Sequence, residues 1–202
     1  MNEIEEALRS DAARLPAGPS EALQKSLAER AAAEGLLDVA YAELDSPIGP
    51  LAVAGTPRGL VRLAYMPAEA MAEELADKLS PRVIRSPARL DEVRRELDEY
   101  FEGRRTEFEV PVDWSLSRGF FRRVLERTAR VGYGNVSTYA EVAKKAGSPR
   151  AVRAAGNALG SNPVAIVVPC HRILRTGGSL GGYGGGLERK EFLLRLEGVI
   201  AV

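Results

Sequence analysis

The chain has 202 residues, 28 basic and 28 acidic side chains for a net charge of zero, and 45% apolar content, enough for one large folded unit or two small ones with a real core. No apolar run approaches the roughly 20 residues that span a bilayer. The acidic start Met1-Asn2-Glu3-Ile4-Glu5-Glu6 lacks the basic lead and apolar centre of a secretory signal. One cysteine and one histidine exclude an internal disulfide and the usual four-ligand zinc sites. The expectation is a cytoplasmic protein with no membrane association, no metal and no cofactor.

Charge is segregated along the chain. Residues 1–116 carry 14 Lys/Arg against 23 Asp/Glu, a net −9, whereas residues 117–175 carry 11 Lys/Arg against only Glu126 and Glu141, a net +9. A concentrated basic block on an otherwise acidic chain points to a polyanionic partner, most simply nucleic acid. A solvated helix face would have the same composition.

Residues 3–34 read as one or two helices, with Ile4, Leu8 and Leu15 near one face, Leu23 and Leu27 marking another, and a break at Pro16-Ala17-Gly18-Pro19. Residues 1–35 are read as an appendage without chemistry. From residue 39 the pattern changes to short strands at 39–44, 51–54 and 60–65, an antiparallel meander separated by turn-rich segments. A helix at 68–79, a strand near Val83, a helix at 90–101 with Leu90, Val93, Leu97 and Phe101 on one stripe, and a strand at 107–110 complete a unit spanning residues 36–113. It shows no catalytic constellation and reads as scaffold, making the fold class α+β. Residues 111–117 read as a linker.

The part from 114 to 202 is predicted to be mostly helical. Ser117 can cap a helix to about Val131, with Phe120, Val124 and Leu125 inward and Arg118, Arg122, Arg123, Arg127 and Arg130 outward. Thr138 with Glu141 forms a capping box for a short helix at 139–146. Pro149 takes the first position of a second helix, to about Leu159. Two short basic helices joined at Gly147-Ser148 read as a helix-turn-helix. The second helix is nearly bare, with Ala151, Ala154, Ala155, Gly156 and Ala158. Such a surface suits close approach to a narrow groove better than side-chain readout of bases, so little sequence preference is expected; packing in the core would also suit it.

The apolar run 164–168 reads as a short buried strand that Pro169 stops. Just beyond it stand Cys170 and His171, the sole residues of their types. A cysteine beside an imidazole is a candidate nucleophile, because the imidazole makes thiolate easier to form; an inert buried cysteine and a structural histidine are the bland alternative. The glycine-rich stretch 176–186 lacks the ending of a phosphate loop and reads as a close-approaching loop that presents Tyr183. The final helix, 188–197, is stopped by Gly198, with Leu187, Leu194 and Val199 expected toward the core. Glu197 is oddly placed, since the dipole repels a carboxylate at a helix C-terminus. His171 is the expected partner.

Asn162-Pro163, Pro169-Cys170-His171-Arg172, Gly181-Gly182-Tyr183 and Glu197-Gly198 together resemble the O6-alkylguanine-DNA alkyltransferase family (methylated-DNA–protein-cysteine methyltransferases). The match is dense from Phe120 to Gly198, looser around Asp45-Ser46-Pro47-Ile48-Gly49-Pro50-Leu51, and absent from the first 35 or so residues. The resemblance implies a ribonuclease H-like N-terminal domain and a C-terminal domain with a winged-helix-like helix-turn-helix. It implies single-turnover transfer of an alkyl group from O6-alkylguanine, with O4-alkylthymine as a further candidate, after the nucleotide is flipped out through the minor groove of duplex DNA by a monomer.

By the same resemblance Cys170 would accept the alkyl group. His171 would draw off its proton through a water, Glu197 would hold the imidazole, and Asn162 would brace the segment. Tyr139 would protonate the leaving guanine and contact phosphate, and Arg153 would enter the base stack. Val152, Gly156, Asn157, Ser148, Phe121 and Thr176 would meet DNA, while Tyr183, Gly184, Gly185, Val168, Pro169 and Leu159 would form the substrate pocket. Phe121 and Ala140 stand where some relatives carry polar DNA contacts, and Gly184 replaces a serine that meets the guanine O6, leaving a backbone amide for that contact. A non-catalytic damage sensor or regulatory DNA binder and a turning-over cysteine hydrolase are the rival readings.

Overall fold

The computed structural model describes residues 21–201; the expected features at Ile4, Leu8, Leu15 and the break at 16–19 lie outside them. Helix α1 (Glu21–Ala33) turns Ala28 and Ala31 inward and leaves Leu23 and Leu27 exposed, so the leucines mark its outer face.

The sheet that follows has the order β3-β2-β1-β4. Strands β1 (Val39–Leu44), β2 (Leu51–Thr56) and β3 (Gly59–Ala64) form the expected antiparallel meander, and β4 (Val83–Arg85) pairs with β1 in parallel. Alternation along β2 divides its side chains between two cores. Ala52 and Ala54 face helix α2 (Ala68–Lys78) through Met71 and Leu75, while Leu51 and Val53 join the larger core shared with the C-terminal part. Helix α3 (Asp91–Phe101) buries Val93, Leu97 and Tyr100 in that larger core.

The outer edge of β3 is covered by two short bridges rather than by a strand. Leu60 pairs with Val112, and Leu63 pairs with Val164. Two strand predictions are thereby corrected. Residues 107–110 form no strand; their backbone is held instead by the buried Glu96 carboxylate, which accepts from the Glu109 and Val110 amides at 2.9 and 3.3 Å. Residues 164–168 pair only at Val164 and then turn tightly, with Ile166 at φ 69°. The predicted linker is also pinned. Asp113 accepts from Thr56 Oγ1 at 2.6 Å, the Ser115 amide at 3.0 Å and Arg58 Nε at 3.1 Å.

Helices α4 (Gly119–Thr128), α5 (Tyr139–Lys145) and α6 (Val152–Gly160) pack on one another. Ser117 does not cap α4; it is buried and extended after the 3-10 turn Trp114–Leu116, and Arg118 occupies the cap position. The capping box at α5 is present in both directions. Helix α6 starts later than Pro149, which sits in the preceding turn. The pair β5 (Ser137–Thr138) and β6 (Ile173–Leu174), parallel and two residues each, is a feature without a sequence signal. Helix α7 (Leu187–Leu196) closes the chain, with Leu193 and Leu194 buried and Leu187 half exposed, against expectation. Among the described residues no helix is long and apolar enough to cross a membrane.

Candidate active site

The turn through Ile166 delivers residues 170–172 as a single 3-10 turn in the core. Left-handed backbone at a β-branched residue is strained, and Asn162 spans the strained segment. Its Oδ1 accepts from the Val164 amide at 3.1 Å, and its Nδ2 donates to the Val168 carbonyl at 2.8 Å and to Cys170 Sγ at 3.1 Å. The side chain therefore holds both ends of the turn and the sulfur together.

Cys170 is 8% exposed. Burial pushes its thiol up, against the pull of the Asn162 amide, the charge of Lys190 and the amides of residues 170 and 171. In the free protein the sulfur is therefore a neutral thiol at neutral pH, and the expected thiolate has to be made during reaction rather than stored. His171 is fully buried, and burial lowers its pKa against the raising effect of Glu197. The resting pair is a neutral thiol beside a neutral imidazole.

Glu197, the C-cap of α7, is the centre of a closed network. Its Oε1 accepts from Tyr100 Oη at 2.7 Å, pairs with His171 Nε2 at 2.8 Å and accepts from Arg172 Nη2 at 2.9 Å, while its Oε2 accepts from Arg172 Nε at 2.8 Å. Burial raises the carboxyl, but the hydrogen bonds and charges of His171 and Arg172 prevail and hold it at about 2. An ionised Glu197 requires the proton of His171 on Nε2. His171 Nδ1 is then a lone-pair acceptor, buried and without a hydrogen-bond partner among the described residues. Arg172 also donates to the Val131 carbonyl and lies over the Tyr133 ring.

A cavity of about 210 Å³ opens at Cys170 and is lined by Asn162, Leu159, Tyr183, Gly184 and Gly185 and by Arg62 to Met66 from the end of β3. Val168 and Pro169, expected in the pocket, are buried and are not among its lining residues. Tyr139, at the first position of α5, is brought to its rim but not into its lining; its hydroxyl points to the Gly182 carbonyl at 3.4 Å. Gly181 sits at φ 68°, a backbone that strains any residue with a side chain, and a Cβ there would come within 2.9 Å of that hydroxyl and push it aside.

In the helix-turn-helix, Val152, Arg153 and Asn157 are exposed and Ser148 and Gly156 half-buried; Phe121 on α4 and Thr176 in the turn after β6 are exposed as well. The small residues of α6 are divided: Ala155 and Ala158 are spent on internal packing. The bareness of this helix thus serves the core as well as its outer face.

Four residues of the site were not singled out by sequence. Arg172 lay within the Pro-Cys-His-Arg motif. Lys190 is fully buried and donates Nζ to the Ile173 carbonyl at 2.7 Å and to the Leu180 carbonyl, with burial bringing its ammonium down to about 8. It shares with Leu193, Leu194 and Glu197 one stripe of α7, a spacing that places two charges on an inner face. Tyr100 and Tyr65 come from the part read as scaffold, which therefore contributes to the site.

Residues 39–114 match the family described as "6-O-methylguanine DNA methyltransferase, ribonuclease-like domain", and residues 119–199 match its "DNA binding domain". The methylated-DNA--protein-cysteine methyltransferase of Mycobacterium tuberculosis H37Rv is 40% identical over 157 residues, 78% of this chain and 91% of that protein. The protein of the same name from Methanosarcina barkeri is 37% identical over 157 residues, 78% of this chain and 96% of its own. The crystal structure of Mycobacterium tuberculosis OGT in complex with DNA superposes with a TM-score of 0.67 at 39% identity, covering 78% of this chain and 92% of that one. With both halves of the family present and in order, the chain belongs to the 6-O-methylguanine DNA methyltransferase family.

Proposed function

We propose that this protein repairs duplex DNA by transferring the alkyl group of O6-alkylguanine to Cys170, once per molecule. His171 carries the reading: with Nε2 committed to Glu197, its free Nδ1 is the only imidazole acceptor left for the thiol proton, and it follows Cys170 directly in the chain. The proton passes to Nδ1 through a water. Sγ then forms a bond to the alkyl carbon as the carbon–O6 bond breaks, and the electron pair of that bond goes to the guanine. Tyr139 gives the guanine a proton and recovers one from the imidazolium, so the thiol proton ends on the base. Such general-acid help is worth about 10²–10⁴-fold. For it the Tyr139 hydroxyl must leave Gly182, and a 3.4 Å bond is weak enough to yield. The product is a thioether with no carbonyl for water to attack, so the cysteine is not regenerated.

The target atom lies inside the duplex, so the nucleotide must be extruded at a cost of a few kcal/mol. Exposed Arg153 would fill the space it leaves, and the basic faces of α4, α5 and α6 would hold phosphates from the minor-groove side, with little regard for sequence and with the protein acting as a monomer. O4-alkylthymine is the second candidate substrate. In this reading residues 114–202 carry the chemistry and residues 36–113 support it, in the cytoplasm and without a cofactor.

Intact mass after incubation with a duplex containing O6-methylguanine tests this. A lasting gain of one methylene per protein, mapped to Cys170, supports transfer. Binding without any gain would replace it with the damage-sensor reading, and multiple turnovers of an ester or peptide would replace it with a hydrolase.

A further inference from the structure

Tyr65 follows directly on β3 and reaches across the cavity to the glycine loop. Its hydroxyl lies 2.7 Å from the Tyr183 hydroxyl, and the two rings meet edge to face at 5.9 Å. Arg189 covers its other face at 4.9 Å while donating to the Ile48 and Gly185 carbonyls, each at 2.8 Å. The loop is pressed against the ring: a Cβ at Gly185 would come within 2.4 Å of it. Tyr65 and Tyr183 line the same cavity as Cys170, and the Tyr183 ring stands edge-on to His171 at 6.5 Å.

From this arrangement we infer that Tyr65 is a specificity-determining residue, the hydroxyl pair with Tyr183 being a latch that sets how large an alkyl group the slot accepts. The inference rests on Cys170 being the alkyl acceptor. A methyl group needs little room between the sulfur and the base. A benzyl group has to displace the Tyr183 ring or the Gly184–Gly185 backbone, and both are held by Tyr65. Opening the slot therefore breaks one hydroxyl–hydroxyl bond and separates a packed ring pair. Neither cost falls on the methyl substrate.

The test is the ratio of single-turnover rates on two duplexes of one sequence, one carrying O6-benzylguanine and the other O6-methylguanine, for wild type, Tyr65→Phe and Tyr65→Ala. Tyr65→Phe keeps the ring and removes the latch, and the benzyl-to-methyl ratio should rise about fivefold, the factor that one net hydrogen bond is worth. Tyr65→Ala also removes the ring and should raise the ratio further. A purely structural role would lower both rates together and leave the ratio unchanged, and that result overturns the inference while methyl transfer by the wild type stands. If Tyr65→Ala fails to fold, Tyr65→Phe decides alone. A wild type that transfers neither group sinks both this inference and the reading beneath it.

Discussion

Replacing Glu197 with glutamine probes the buried network through its stability. The carboxylate is 4% exposed and takes four hydrogen bonds from His171, Tyr100 and Arg172. Glutamine keeps the shape but not the charge. Arg172, itself buried, is left without a counter-ion, and the new amide hydrogens face donors. Breaking a buried pair from one side costs about 3–5 kcal/mol.

Protonation gives a figure of the same size. Burial raises the Glu197 carboxyl, but its partners hold it at about 2, against an ordinary 4.5, a gap worth roughly 3 kcal/mol. Because the folded value lies below the unfolded one, this contribution is complete above the unfolded value and is lost as pH falls toward the folded one. Urea unfolding of both proteins should therefore show a difference of about 3–5 kcal/mol at neutral pH, narrowing by about 2 kcal/mol at about pH 3. The comparison between the two proteins isolates Glu197 from the other carboxylates. A neutral-pH cost under about 1 kcal/mol, or a difference that stays constant with pH, would refute the reasoning.

Cys170→Ala should abolish transfer, read by intact mass, while duplex affinity stays within about twofold, since Cys170 is 8% exposed and lines a cavity rather than the outer basic face; a large loss of affinity would place Cys170 in the DNA contact. Arg153→Ala should slow repair in duplex by about a hundredfold, the rate equivalent of the extrusion cost, yet slow reaction with free O6-benzylguanine far less; equal losses would remove Arg153 from extrusion. Affinity for undamaged duplex should fall steeply and linearly in a plot of log K against log salt; a flat line would dismiss the basic block as a docking surface.

What could be read from sequence was local. The capping box at Thr138, the helix stripes and the Cys170–His171 pair all declare themselves within a few residues, and Glu197 stood out because its charge opposed the helix dipole. The run 164–168 was misread because burial alone does not distinguish a strand from a buried turn, and nothing in the composition of Ile166 announces a left-handed backbone. Ser117 and Leu187 were misjudged by a turn or less at helix ends, where capping chemistry competes with packing. Tyr65 and Tyr100 were invisible as site residues. Each is an ordinary core aromatic in its own segment, and its partners, Tyr183 and Glu197, lie 118 and 97 positions away. Only closure of β3 and α3 onto the C-terminal half gives them meaning.

The Asn162 clasp has a consequence for the molecule after it has acted. Its amide holds shut a turn in which Ile166 sits at φ 69°, a posture that costs an L-residue about 1–2 kcal/mol. One of its three grips is on the sulfur itself, at 3.1 Å. Once that sulfur carries carbon in place of hydrogen, it crowds the clasp and is a poor acceptor, so the turn is secured from fewer sides. A used copy should then spring this loop open more readily than a fresh one, so the expected record of past action is local fraying, to be read by amide exchange or by a protease without any further label.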